Sequence, residues 1–226
     1  AMHSRTTLLL LALVATAPGA SLLTLSNPVS NGSIITTGGN NDRSDWTGTT
    51  AFPTDANESN PVDYASITVA HDDSNFYIRQ QTYQTDAGGF LSFGEKLIID
   101  TDRSRGTGYR GPNDAFAVGG EYMLEGATLY LYVGSGTDWN WQWVAGVSFD
   151  DFPLNDHEMS FAQTAIGSPQ SFDFIAITNF FGSEDAYPDN AHGGASGGFY
   201  TYSTVPEPGV ALLGGLGLLT LLRRRV

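Results

Sequence analysis

Tyr64-Ala-Ser-Ile-Thr-Val-Ala-His-Asp-Asp-Ser-Asn-Phe-Tyr-Ile-Arg-Gln-Gln-Thr-Tyr83 is the stretch whose reading decides the fold class. From Tyr64 to Ala70 the side chains alternate, with Ile67 and Val69 on one face and Ser66 and Thr68 on the other, the period of a half-buried strand. His71-Asp-Asp-Ser-Asn75 is turn chemistry, because short polar side chains bond their own backbone there. Phe76 to Tyr83 alternates again, which sends Phe76 and Ile78 inward and Tyr77 and Arg79 outward. Two alternating runs around such a turn predict an antiparallel hairpin.

Outward from the hairpin the pattern recurs. Strands are expected over 96–100, 115–124, 127–133, 139–149, 172–180 and 198–204, each bounded by Gly, Asp or Ser, and Leu23-Thr-Leu25 alternates briefly upstream. No window carries a helical stripe, although 157–166 has room for a turn or two, and 183–198 reads as a long loop. The sum predicts an all-β chain, an antiparallel and jelly-roll-like β-sandwich with its core over 64–204. Residues 21–63 supply an N-terminal strand and a long polar loop. Within them, 36–62 shows no period, and structureless loops of that length are uncommon in a domain. That segment is either a flap pinned by Trp46 or a linker.

The two ends read as transit signals. Met2-His-Ser-Arg5, an apolar run from Leu8 to Val14 and the small residues up to Ala20 have the layout of a secretory signal peptide over 1–20. At the other end, Pro206-Glu207-Pro208 precedes an uncharged stretch, Gly209 to Leu222, and then Arg223, Arg224 and Arg225. A helix over that stretch rises roughly 21 Å, short of the roughly 30 Å bilayer core. It suits transient insertion into the inner membrane, with the arginines held on the cytoplasmic side. Residues 205–226 resemble the PEP-CTERM sorting tail of Gram-negative bacteria. That resemblance implies recognition and cleavage by an exosortase-type enzyme, and a finished protein at the cell surface, the outer membrane or in the extracellular matrix.

Without its ends the chain is strongly acidic. The 24 acids less Glu207 leave 23, and the 10 bases less Arg5 and the three terminal arginines leave 6, a net charge of −17. Such a charge repels phosphates, so nucleic acid is not an expected partner. The chain has no cysteine, which excludes disulfides, thiol catalysis and Cys-ligated zinc.

The order of landmarks also carries a resemblance. Val69-Ala-His-Asp-Asp-Ser-Asn-Phe-Tyr77, Ile98-Ile-Asp-Thr-Asp102, Gly119-Gly-Glu-Tyr-Met-Leu-Glu-Gly126, Leu129-Tyr-Leu-Tyr132 and Trp139-Asn-Trp141 follow one another as in β-sandwich domains similar to family-nine carbohydrate-binding modules. The likeness spans roughly 42–180. Glu121 stands where that family usually has aspartate, and no pair of exposed tryptophans is placed as in its sugar-binding members. A sandwich fold, and a polysaccharide such as the cell's own exopolysaccharide as ligand, are what the resemblance implies.

Trp139, Trp141 and Trp143, three of the four tryptophans, share one face of one strand. Register decides what that face meets. A two-residue turn at Gly136-Thr137 makes opposed residue numbers sum to 273, which sets Trp141 against Tyr132 and Trp143 against Tyr130 as an aromatic platform. A three- or five-residue loop makes the sum 274 or 272 and groups the indoles with Leu129, Leu131 and Val133. The second arrangement buries more apolar surface, at roughly 25 cal/mol per Å², so the core is the expected destination.

Asp100 and Asp102, at a strand end before a Gly-rich loop, are the candidate metal ligands, and oxygen donors of this type suit calcium. The EF-hand template does not fit, since Arg105 stands where its glycine belongs. Catalytic signatures are thin. Gly194-Ala-Ser196-Gly-Gly198 matches a nucleophile-elbow expression but lies in a Gly-rich loop, and His71, His157 and His192 lack ligand spacing. The expectation is a non-enzymatic, exported carbohydrate-binding protein. The alternatives are a polysaccharide hydrolase or lyase with paired carboxylates, or a purely structural matrix protein.

Overall fold

The computed structural model describes residues 20–29, 43–54, 63–83, 95–150, 155–180 and 183–204. Within them the strands are β1 (Ser21–Leu25), β2 (Tyr64–His71), β3 (Asn75–Thr82), β4 (Glu95–Asp100), β5 (Tyr122–Glu125) and β6 (Thr128–Tyr132). The second half of the chain adds β7 (Trp141–Gly146), β8 (Ser148–Asp150), β9 (Asp156–Ala162), β10 (Ser171–Phe180), β11 (Ser183–Tyr187) and β12 (Phe199–Ser203). Helical structure among the described residues is confined to short 3-10 turns, and none is long and apolar enough to cross a membrane. The signal peptide (apart from Ala20) and the whole sorting tail, with its apolar helix, lie outside the described residues.

The β2–β3 hairpin forms with Val69 opposite Ile78 and His71 opposite Phe76. Asp72 closes its turn by accepting the Ser74 and Asn75 amides, each at 2.7 Å. The hairpin belongs to a four-stranded sheet ordered β2-β3-β9-β8. A larger sheet runs β1-β12-β10-β4-β5-β6-β7, with β11 alongside the second half of β10. The two sheets share one core, in which Ile67, Val69, Phe76, Ile78, Met159 and Phe161 meet Leu97, Ile99, Leu124, Leu129, Phe172, Phe174 and Tyr202. Alternation is what makes this possible, because every second side chain of each strand faces the opposite sheet.

Both outer faces are also partly covered. On the small sheet, Trp46 is 4% exposed against Ala70 and Tyr77, and its Nε1 donates to Glu158 Oε1 at 2.6 Å. Phe52 enters the main core edge-on to Phe174. Residues 43–54 are therefore the flap rather than a linker. On the large sheet, loops 101–120 and 188–198 lie over Ile98, Met123, Ile175 and Ile177 and bring Tyr109, Phe116, Val118 and Ala191 onto them. Gly120 lets the loop backbone rest on the sheet, since a Cβ there would collide with Ile98 Cγ2.

Several expected elements take a different form. Among the described strands every pair is antiparallel except β1 with β12, which is parallel. Of 115–124 only the end is strand, because Phe116 and Ala117 give their amides to Arg110 and Ala191 in the covering loops instead of to a ladder. The expected strand 139–149 divides into β7 and β8, which belong to different sheets. Residues 157–162 are strand rather than helix, because Met159 and Phe161 alternate into the core, and only Gln163–Ile166 turns. The expected loop 183–198 begins as β11, whose Asp185 accepts the Tyr64 amide at 2.8 Å.

Candidate ligand-binding site

The β6–β7 hairpin sets the fate of the indoles. Tyr132 lies opposite Trp141 and Tyr130 opposite Trp143, so the tryptophans share a face with the tyrosines and not with Leu129. The connection is longer than a two-residue turn, but loop 134–139, closed by the Val133 amide on Asn140 O, preserves the same parity. Past Tyr130 the register shifts, and Leu129 pairs with Ala145. That bulge near Val144 returns the strand to the other parity just where Leu129 enters the core, a re-aiming typical of bulges. The expectation that the tryptophans fill the core is thus overturned. Trp139 is 54% and Trp143 64% exposed, while Trp141 is half-buried on the outer face.

Around Trp141 the rings form a continuous cluster. Tyr109, from loop 101–120, lies 5.4 Å from Tyr132, Trp139 and Trp141 alike, and 5.6 Å from Phe116. The last three contacts are edge-to-face, the favourable arrangement for ring quadrupoles. Phe116 in turn stacks on His192 at 5.3 Å. Between Trp139 and Phe116 opens a cleft of about 360 Å³, lined also by Lys96, Tyr109, Ile177, Thr178 and His192. The Trp141 Nε1 donor is buried without a hydrogen-bond partner among the described residues. Leaving about half of two indoles wet forgoes on the order of 4–6 kcal/mol of burial. Such a patch makes this face the candidate binding surface.

A second constellation lies at the other end of β4. Asp100, Asp102 and Glu121 place carboxylate oxygens within 4.8 Å of one another. Asp100 is 2% exposed and accepts the Ser104 and Gly119 amides, each at 3.1 Å. Burial, with the charges of Glu121 and Asp173 nearby, pushes its carboxyl up to about 7. Burial also raises Glu121, whose Oε2 accepts the Thr101 amide while Oε1 is buried without a partner among the described residues. Three carboxylates with one unsatisfied buried oxygen fit a hard divalent cation, and each carboxylate keeps lone pairs beyond those its hydrogen bonds use. Calcium would be held by Asp100, Asp102 and Glu121, and would supply the positive charge that the triad lacks.

The structure therefore brings Trp139, Trp141, Trp143, Tyr130 and Tyr132 together, and separately Asp100 with Asp102. Tyr109, Phe116 and Lys96 were not singled out by the sequence, His192 was noted only as a histidine without ligand spacing, and Glu121 drew notice only as a departure from a family pattern. Tyr109 and Phe116 carried no signal, because they sit in or beside a Gly- and Arg-rich loop whose destination is a long-range matter. Ser196 lies in the turn Gly194–Ser196 and donates to Gly193 O, with no strand-to-helix elbow around it. His71 is a core residue bonded to the Tyr202 hydroxyl at 2.6 Å. Pro206, Glu207, Pro208 and the three terminal arginines lie outside the described residues. Comparison with protein-family models and with characterised proteins returns no match for this chain.

Proposed function

We propose that this chain is an exported, jelly-roll-like β-sandwich that binds carbohydrate on the outer face of its larger sheet. Its ends serve transit. The signal peptide directs export, the tail 205–226 is trimmed by an exosortase-type enzyme, and the finished domain is retained at the cell surface or in the extracellular matrix of a Gram-negative bacterium. One observation carries the binding reading: Trp139 and Trp143 stand exposed on the same face as Tyr130 and Tyr132. Planar rings on β6, on β7 and on the loop between them present the flat apolar surface on which a pyranose ring lies. Calcium at Asp100, Asp102 and Glu121 belongs to the same reading, since loop 101–120 leaves from that triad and delivers Tyr109 to the cleft.

The test is affinity electrophoresis of the exported chain through gels containing neutral or acidic polysaccharides. Retardation by at least one polymer is expected, with affinity lowered about tenfold or more in Trp139→Ala and Trp143→Ala. Both side chains are largely exposed, so melting temperatures stay near wild type. Free migration through every gel would leave the purely structural matrix protein as the better account.

A further inference from the structure

The cleft beside the platform has an unusual lining for so acidic a protein. Acids outnumber bases 24 to 10 in the whole chain, yet among the described residues no carboxylate lines this cleft. Its polar groups are Lys96, Thr178 and His192, set among aromatic and aliphatic walls. Lys96 is the sole lysine of the sequence and is 8% exposed on β4, in the middle of the large sheet. Lysine is rarely buried without a reason, because its ammonium is strongly hydrated. Here Nζ contacts Glu125 Oε1 at 3.0 Å on one side and lies 6.0 Å from the Trp139 ring on the other. Glu125 comes from the neighbouring strand, directly across from Lys96, and its side chain is 27% exposed.

The ammonium thus stands between an internal carboxylate that reaches solvent and an indole that walls the cleft. Building on the carbohydrate reading, we propose that the cleft takes an acidic saccharide, a uronate or similar carboxylate-bearing sugar. Its ring lies against Trp139 and Tyr109, and its carboxylate takes the place of Glu125 on Lys96. Glu125 holds the ammonium in position while the cleft is empty and swings to solvent when a sugar carboxylate arrives. The negative charge of the rest of the domain opposes this only locally, since screening confines surface charges to about 8 Å at physiological salt. A charge-assisted hydrogen bond gives the acid form an advantage that a neutral sugar cannot match.

The experiment titrates the exported chain calorimetrically with oligogalacturonate, with its methyl ester and with a neutral cello-oligosaccharide. The ester keeps the ring and removes the charge. Wild type is expected to bind the acid form about tenfold or more tightly than the ester. Lys96→Gln should erase that preference while keeping affinity for the ester. Glu125→Gln should tighten the acid form several-fold and leave the ester unchanged, because it removes an internal competitor. Should Lys96→Gln fail to fold, Glu125→Gln decides alone. Equal affinity for acid and ester, an equal loss for both in Lys96→Gln, or no gain in Glu125→Gln would overturn the inference and leave carbohydrate binding intact. Silence toward all three ligands, together with free migration in every polysaccharide gel, would remove the carbohydrate reading as well.

Discussion

Replacing Asp100 by Asn tests the electrostatics of the carboxylate triad in a way whose sign changes with pH. Asp100 is 2% exposed, and its carboxyl is pushed up to about 7 from an ordinary 3.8 by burial, with Glu121 and Asp173 adding repulsion. Between those two values the folded protein keeps a proton that the unfolded chain has released. Stability is then fullest below about pH 4 and is lost as pH rises through 7, the direction that linkage requires when the unfolded state binds fewer protons. At 1.36 kcal/mol per pH unit the whole span is worth about 4 kcal/mol. Glu121 and Asp173, both raised by burial, act in the same direction. Asn at this position cannot ionise, so in EDTA at pH 8 Asp100→Asn should be more stable than wild type by about 2–4 kcal/mol. In a domain of this size that is a melting temperature higher by about 5–10 °C. At pH 4 the two proteins should converge to within about 1 kcal/mol, the worth of the hydrogen bond that Asn gives up. Calcium narrows that gap at neutral pH, because a cation at 100 times its Kd stabilises wild type by about 2.7 kcal/mol and the variant by less. The assay is thermal melting by circular dichroism from pH 4 to 8, with EDTA and then with calcium. Wild-type stability that stays level across that range in EDTA, or a variant less stable than wild type at pH 8, would refute the electrostatic reasoning. Melting that ignores calcium would remove the metal assignment alone.

Three further outcomes follow from packing and from the tail. Gly120→Ala pushes a methyl group into Ile98 Cγ2 and should cost about 1–3 kcal/mol in urea unfolding; it also lifts the loop that delivers Tyr109, so ligand affinity should fall with it. Trp46→Phe removes the 2.6 Å bond to Glu158 and should cost about 1.5–3 kcal/mol, with unchanged stability arguing against the flap as a pinned element. Replacing Arg223, Arg224 and Arg225 by Ser should leave the sandwich folded and disturb trimming of the tail. Mass spectrometry of the exported protein reads that out, and normal trimming would contradict the sorting assignment.

Much of the architecture was legible because strand alternation is a local property. Ile67, Val69, Phe76 and Ile78 occupy the shared core as their spacing required. Leu97 and Ile99 face that core while Ile98 faces the covering loops, and a short apolar run cannot declare such a division. The failures cluster where a segment's backbone finds partners outside its own neighbourhood. Residues 115–120 look like strand but bond to loops, whereas Ser183–Tyr187 looks like loop but pairs with β10. Asp100 and Asp102 were visible as neighbours in sequence, but Glu121 joins them only because β5 lies beside β4.

By itself the sequence determined an all-β chain, the β2–β3 hairpin, the acidity of the part between the two ends and the grouping of Trp141 and Trp143 on one face of a strand, while Trp139 lies in the loop before it. A period of two states which side chains share a face, and nothing in it states which face is wet. That choice belonged to the tertiary structure. The parity of loop 134–139 and the bulge beyond Tyr130 turned the indoles outward, and a loop from elsewhere in the chain supplied Tyr109 to make a cleft of them. Burial of apolar area favoured the opposite answer. Register prevailed because a one-residue slip of β7 to put the indoles inside would carry Val144 away from the core with the same stroke.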